Sequence, residues 1–371
     1  MYHLFTPRIG HLAMNTELFL RRQSRGMVEG ELFRITDHFS GEKVANEQLY
    51  KMIKRRAVVH EVTTQEYQAL VAQGNKDCGM LYSESNEFWE FNNIEPQLSF
   101  TDAELEQGQQ LLNDMGIQKN PYVCIHDRSS HYLASKFQEY NYSYHNYRDC
   151  SIDNYLKAAE WLTTKGVYVV RMGEVISTPL ATENPMIIDY ATKHRTDFGD
   201  AFLPGTCDFF LGNTAGLHLM ANIMSRPVAG ANFVPFDHTP LRKEDVFIHK
   251  NLSIPFSLIH EIGFEMMENN MATLQEMLQK NNASIEENTS DQILDLTVEM
   301  YERLTNTFTP NFDSDQLKIK LRSYWKPTAR SYGYVCNICS KFVDEKKHLF
   351  IQISASKFYK LNYVKCKLCK I

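Results

Sequence analysis

The chain has 371 residues, of which 43% are apolar, 23% charged and 12% aromatic. This is a folding composition, and the length suits two α/β domains sharing a cleft. The formal net charge of −6, from 39 basic and 45 acidic side chains, excludes a generally basic nucleic-acid coat. The charge is unevenly spread. Residues 317–371 hold 13 Lys and Arg against two acids, a net +11, and the rest of the chain carries −17. A change of sign this sharp marks the C-terminal segment as a separate piece. No apolar run reaches the roughly 18 residues of a membrane span. The start, MYHLFTPRIGH, lacks the basic-then-apolar pattern of a secretory signal. Four of the eight cysteines are scattered singly, which fits a reducing cytoplasm better than a disulfide framework.

Tyr2 to Phe5 reads as a short strand, Pro7 to His11 as a glycine turn, and Leu12 to Arg22 as a helix. A second unit of this kind starts at Leu32. Residues 42–56 form an amphipathic helix ending in Lys54-Arg55-Arg56, and from there to about residue 100 the periodicity is weak. Thr101-Asp102-Ala103-Glu104 is a capping box, and the helix it opens runs to Met115 and stops at Gly116. A second domain begins with the strand at Tyr122. A helix follows from Ser151 to Thr164, capped by Ser151 or Asp153. Strands are expected at 167–172, 186–190, 208–212 and from 227, with a helix from Leu217 to Met224. Strands alternating with helices predict βαβ units and a parallel sheet. Residues 256–308 read as mostly helical and polar, with a disordered-looking stretch at 279–291. The expected organisation is an N-terminal domain (1–118), a second α/β domain (119–260), a helical segment (261–330) and a basic Cys-rich tail (331–371).

In open parallel sheets, ligands bind beyond the carboxyl ends of the strands. Three polar groups fall there: His126-Asp127-Arg128, Arg171 with Gly173-Glu174, and Gly212-Asn213-Thr214-Ala215-Gly216. The last lies at a helix N-terminus, where free N–H groups and the helix dipole favour an anion. With Arg128 and Arg171 at neighbouring strand ends it describes a diphosphate site. The competing reading pairs these arginines with Asp127 or Glu174 on a solvated rim. Asp189 either accepts from a sugar hydroxyl or caps the next turn. Arg148 either aims at the cleft or pairs with Asp153. His11, in the first strand-to-helix turn, suits a general base, or else packs at its helix start; Glu17 is the reserve candidate. There is no GxxxxGK[ST], no GxGxxG after the first strand and no GxSxG, which disfavours P-loop kinases, nicotinamide enzymes and α/β-hydrolases.

Arg8-Ile9-Gly10-His11-Leu12-Ala13 with Asn15-Thr16-Glu17-Leu18-Phe19-Leu20 resembles the opening of a family of bacterial glycosyltransferases associated with surface-polysaccharide gene clusters. Tyr147-Arg148-Asp149, Val169 to Gly173 and Asp208 to Leu217 resemble the same family, and the likeness covers about residues 7 to 260 and runs weakly to the end. The resemblance implies a GT-B architecture: two Rossmann-like parallel-sheet domains facing a cleft, with the nucleotide-sugar on the second and the acceptor on the first. His126-x-Arg128 and Phe210 to Thr214 are similar, more remotely, to the donor site of fucosyltransferase-type enzymes. That likeness implies that Arg128 holds the donor diphosphate without a metal. The implied reaction is inverting transfer of a hexosyl or deoxyhexosyl group from a nucleoside-diphosphate sugar to a glycan or lipid-linked acceptor, with His11 taking the acceptor proton. The donor-site residues are then Arg128, Arg171, Asp189, Gly212, Asn213, Thr214, Ala215 and Gly216. Readings of another class are a nucleotide or sugar-phosphate sensor and a nucleotide-sugar epimerase of the same shape.

Cys336-x-x-Cys339 and Cys366-x-x-Cys369, 26 residues apart, have the spacing of a small zinc ribbon, and four thiolates would make any such zinc structural. The family does not usually carry a ribbon, and Ile351 to Tyr359, inside it, resembles the usual family ending. The lysines around it form a solvated charge run or lean on an anionic membrane surface, which would place the protein peripherally at the inner face. No nucleic-acid partner is expected.

Overall fold

A computed structural model describes residues 1–81, 87–136, 142–174, 179–234, 241–253 and 271–309, together with two strands, 334–336 and 341–343. The N-terminal unit has a three-stranded parallel sheet in the order β1 (Tyr2–His3), β2 (Leu32–Ile35), β3 (Val59–Val62). It carries the helices α1 (Ile9–Ser24), α2 (Glu47–Arg56), α3 (Thr64–Ala72), α4 (Phe88–Asn93) and α5 (Asp102–Asp114). The capping box at Thr101 is formed, and Gly116 takes φ +78° as the helix ends. The weakly periodic stretch from 57 to 100 holds β3, α3 and α4. β3 is only partly buried, so alternation is muted there.

The second unit is built on six parallel strands in the order β6-β5-β4-β7-β8-β9. In chain order these are β4 (Tyr122–His126), β5 (Tyr168–Arg171), β6 (Ile187–Ile188), β7 (Phe209–Gly212), β8 (Val228–Phe233) and β9 (Val246–His249). Its helices are α6 (His131–Lys136), α7 (Asp153–Thr163), α8 (Tyr190–Lys193), α9 (Asp197–Thr206) and α10 (Gly216–Ile223), with a 3-10 turn at Ser143–Arg148. Neither Ser151 nor Asp153 caps α7: Ile152 holds the N-cap position without a side-chain bond. The sheet is apolar on both faces, as parallel sheets are. Val123, Ile125, Phe209 and Leu211 pack on Tyr155, Ala158 and Leu162 of α7, whereas Cys124, Val170 and Phe210 pack on Phe202 of α9 and Leu217 of α10.

The 279–291 stretch is ordered in part. β11 (Ser284–Glu286) pairs antiparallel with β10 (Asn251–Ser253), between α11 (Met271–Lys280) and α12 (Ser290–Leu304). α12 lays Ile293, Leu296 and Met300 into the core beside α7, so a polar helix still supplies an apolar stripe. The C-terminal strands β12 (Tyr334–Cys336) and β13 (Lys341–Val343) form an antiparallel pair.

Together the two units make the two parallel-sheet α/β arrangement expected of a GT-B architecture. Their junction is α1 against α10. Leu12, Leu18 and Phe19 share a core with Met220 and Ile223. Gly10 and Gly216 meet at the helix starts: a Cβ on Gly10 would lie 2.9 Å from the Gly216 Cα, and one on Gly216 would lie 2.7 Å from Ile9 Cγ2. Only glycine permits this approach. The fully buried Arg21 fastens the same joint, donating to Glu17, to the Glu90 and Ile94 carbonyls and, from α10, to that of Ile223.

Candidate functional site

A cavity of about 320 Å³ opens at the carboxyl ends of the strands and is lined by both units. The starts of α1 and α10 both face it, bringing two positive dipole ends to one place. Arg8 comes from the N-terminal unit, Arg128 from the end of β4 and Arg148 from the 3-10 turn.

Arg128 is 8% exposed and pairs with Asp149, whose other oxygen accepts from the Ser130 N–H at 3.1 Å. Arg148 donates to the Thr214 carbonyl, and Arg8 lies over the Tyr142 ring at 4.7 Å. Among the described residues neither Arg8 nor Arg148 has an ion-pair partner, and Arg8 Nε, Arg148 Nε and one terminal nitrogen of Arg128 are buried without a hydrogen-bond acceptor. Guanidinium nitrogens buried without acceptors or counterions are costly. Burial and the neighbouring Arg128 and Arg8 pull the Arg148 pKa down to about 10. The histidines register the same field. Burial first, then the arginines, hold His145 down to about 2 and His11 to about 4. His126 is down to about 3, by burial and then Arg171. All are neutral at neutral pH, so the positive charge on this wall of the cavity is carried by the arginines.

The predicted residues divide. His11, Arg128, Thr214, Ala215 and Gly216 line the cavity. His11 stands edge-on to Phe5 at 5.1 Å, with Nδ1 3.5 Å from Asn15 Nδ2. Arg148 faces the cavity, not Asp153. Arg171 and Asp189 face each other instead: their 3.2 Å ion pair is buried, Arg171 also lies 3.8 Å from Asp127, and Asp189 accepts from Leu180 N–H and Thr192 Oγ1. Neither lines the cavity. Glu17 is also elsewhere, bound to Arg21 and to the backbone N–H groups of Gln97 and Leu98.

The glycine loop works differently from a simple phosphate cradle. Gly212 is tight against the His126 carbonyl, which a Cβ would approach to 2.8 Å. Asn213 is fully buried and donates to the Arg148 carbonyl at 2.9 Å, while Thr214 Oγ1 binds the Val234 carbonyl. The Ala215 N–H is taken by His218 Nδ1 at 3.1 Å. That bond places the neutral His218 proton on Nε2, a donor on a cavity-lining residue. Burial lowers its pKa to about 4. The loop therefore positions Arg148 and His218 as well as presenting the helix start.

Arg8, His145, His218, Arg195 and Asp200 also line the cavity. Arg8 stood beside His11 in the same turn, and its position before a helix start was the available signal. The others depend on tertiary placement. Of the C-terminal cysteines, Cys336 closes β12, and Cys339, Cys366 and Cys369 lie outside the described residues. Among the described residues no His, Cys, Asp and Glu group could hold a metal ion, and no helix is long and apolar enough to cross a membrane.

No family model matches the chain, and neither does any curated protein. Among solved structures it is similar to the glycosyl transferase family 9 protein from Veillonella parvula DSM 2008, at 10% identity and a TM-score of 0.49, over 83% of this chain and 97% of that one. It is also similar to the E. coli ADP-heptose lps heptosyltransferase II, at 14% identity and a TM-score of 0.40, over 74% of this chain and 98% of that one.

Proposed function

We propose that the chain is a glycosyltransferase that takes a glycosyl group from a nucleoside-diphosphate donor to a hydroxyl of a glycan or lipid-linked acceptor, inverting at the anomeric carbon. The observation that carries this reading is the cluster of Arg8, Arg128 and Arg148, two of them without an ion-pair partner among the described residues, at the meeting point of two helix starts. A diphosphate is the missing counterion. The family resemblance of the loops that build this cluster supports a sugar as the group it carries.

In the reaction, an acceptor oxygen attacks the anomeric carbon as the bond to the diphosphate oxygen breaks. The leaving diphosphate keeps the electron pair. Fixed guanidinium donors strengthen their hold as that charge grows, which is preorganised electrostatic catalysis. The arginines supply this neutralisation in a metal-independent route. His11, neutral and on the opposite unit, takes the acceptor proton. We place the enzyme in the cytoplasm, in surface-polysaccharide synthesis, with its basic C-terminal segment within reach of the inner membrane face. The two CxxC pairs would hold a structural zinc and take no part in transfer.

The test is a thermal-shift panel of GDP, UDP and ADP, with CMP as control, with and without EDTA. A diphosphate at a hundred times its Kd adds about 2.7 kcal/mol of apparent stability. A rise with one nucleoside diphosphate in EDTA is expected, followed by acceptor-dependent release of that diphosphate from its sugar conjugate. No response to any of them sinks the proposal.

A further inference from the structure

The cavity has a second charged feature beside the arginines. β4 and β5 are neighbours in parallel register, with Ile125 opposite Arg171. Three residues beyond that pair, Arg128 follows β4 and Glu174 follows β5. The two therefore follow the ends of adjacent strands, and both line the cavity. Glu174 shares the cavity wall with Asp200, at the start of α9. Arg195 ties the two together, 2.8 Å from Asp200 and 3.3 Å from Glu174. Asp200 is 4% exposed and also accepts from the Tyr190 hydroxyl at 3.2 Å. Glu174 pairs with Lys136 as well.

A carboxylate pair is a poor neighbour for phosphate and a good acceptor for hydroxyl groups. The buried Asp200 and the partly buried Glu174 are held in place by Arg195, so little entropy is spent in ordering them around a ligand. All members of this corner belong to the second unit and to the strand end next to Arg128. A ligand whose diphosphate sits on the arginines carries its next group here. We propose that Glu174 and Asp200, held by Arg195, form a hydroxyl-reading subsite for the polyol group attached to the bound diphosphate. This rests on the diphosphate reading above. Ribose and the transferred glycosyl group both present such hydroxyls, and the test separates them.

Kd is measured by calorimetry for inorganic pyrophosphate, for GDP, UDP and ADP, and for GDP-mannose, UDP-glucose and ADP-glucose. The proteins are the full-length wild type and the Glu174→Gln, Glu174→Ala and Asp200→Asn variants, each checked for an unchanged melting profile. Pyrophosphate affinity is expected to stay within about twofold, because the arginines are intact. A tenfold or greater loss that appears already with the nucleoside diphosphate assigns the corner to ribose. A loss that appears only with the nucleotide-sugar assigns it to the glycosyl group. Equal losses for all ligands, pyrophosphate included, or no loss for any of them, overturn the subsite. Wild-type protein that binds none of the ligands overturns the diphosphate reading itself, a different result from either.

Discussion

Arg148→Met separates the cost of the site from its use. In the free protein Arg148 is packed beside Arg128 and Arg8, and its pKa falls from 12.5 to about 10. At about 1.36 kcal/mol per pKa unit, the charge costs the fold up to about 3 kcal/mol. Methionine keeps the length and removes the charge. The loss is one hydrogen bond to the Thr214 carbonyl, worth about 1.5–3 kcal/mol for a charged donor. The Asn213 bond runs to the Arg148 backbone and survives. The variant should therefore melt no lower than wild type. It should bind the nucleoside diphosphate on the order of a hundredfold more weakly, since about 3 kcal/mol of charge-assisted bonding is gone. Scanning fluorimetry of the free protein and calorimetric titration with the responding diphosphate read the two effects separately. A variant that melts well below wild type yet binds the diphosphate equally well would refute the assignment, because Arg148 would then be a structural cation.

Arg128→Ala should abolish diphosphate binding and also lower stability by about 3–5 kcal/mol, since it strands the partly buried Asp149. Adding Asp149→Asn should recover most of the melting temperature and none of the binding, and recovered binding would count against Arg128 as a ligand. His11→Ala should lower kcat by about 10²–10⁴ with little change in donor Kd. Because its pKa is held near 4, the wild-type kcat/KM should stay level as the pH falls from 8 and drop only as His11 gains a proton near that value. An acid limb at 6.5 would argue against His11. Gly216→Ala should cost about 1–3 kcal/mol in urea unfolding through its contact with Ile9 and Gly10. A variant as stable as wild type would mean that the helix starts can separate. Full-length protein should carry one zinc per chain by elemental analysis, and EDTA should lower its stability without lowering diphosphate affinity; metal-free protein as isolated would remove the ribbon.

The second unit was the more legible half because its strands are buried on both faces and stand out as unbroken apolar runs, as at 208–212 and 227–231. The capping box at Thr101 is legible for a similar reason, being a local rule with a local structural result. What stayed hidden was decided by long-range packing. Arg171 and Arg128 look alike in sequence, each at the carboxyl end of a buried strand. Only the fold shows that Asp189, from the next strand, turns back to neutralise Arg171 and leaves the cavity to Arg8 and Arg148. Glu17 looked like a spare base on the helix that carries His11, yet it faces the other way, into the joint held by Arg21. A helical wheel separates the faces of α1 but does not say which face meets the cleft.

The two glycines that touch across the joint explain why site and interface cannot be varied independently. Gly216 looked like part of a phosphate cradle in the sequence. In the fold its missing side chain lets α1 and α10 start within contact of each other, so that both dipoles and Arg8 act on one cavity. Separating the helix starts would weaken the field at Arg128 and Arg148 as well as the packing of Leu12 on Met220. On the proposed reading, a bound diphosphate would work in the opposite sense. It would relieve repulsion among arginines drawn from both units, so its binding energy would tighten the joint, and the melting-point rise on diphosphate binding should be smaller in Gly216→Ala than in the wild type.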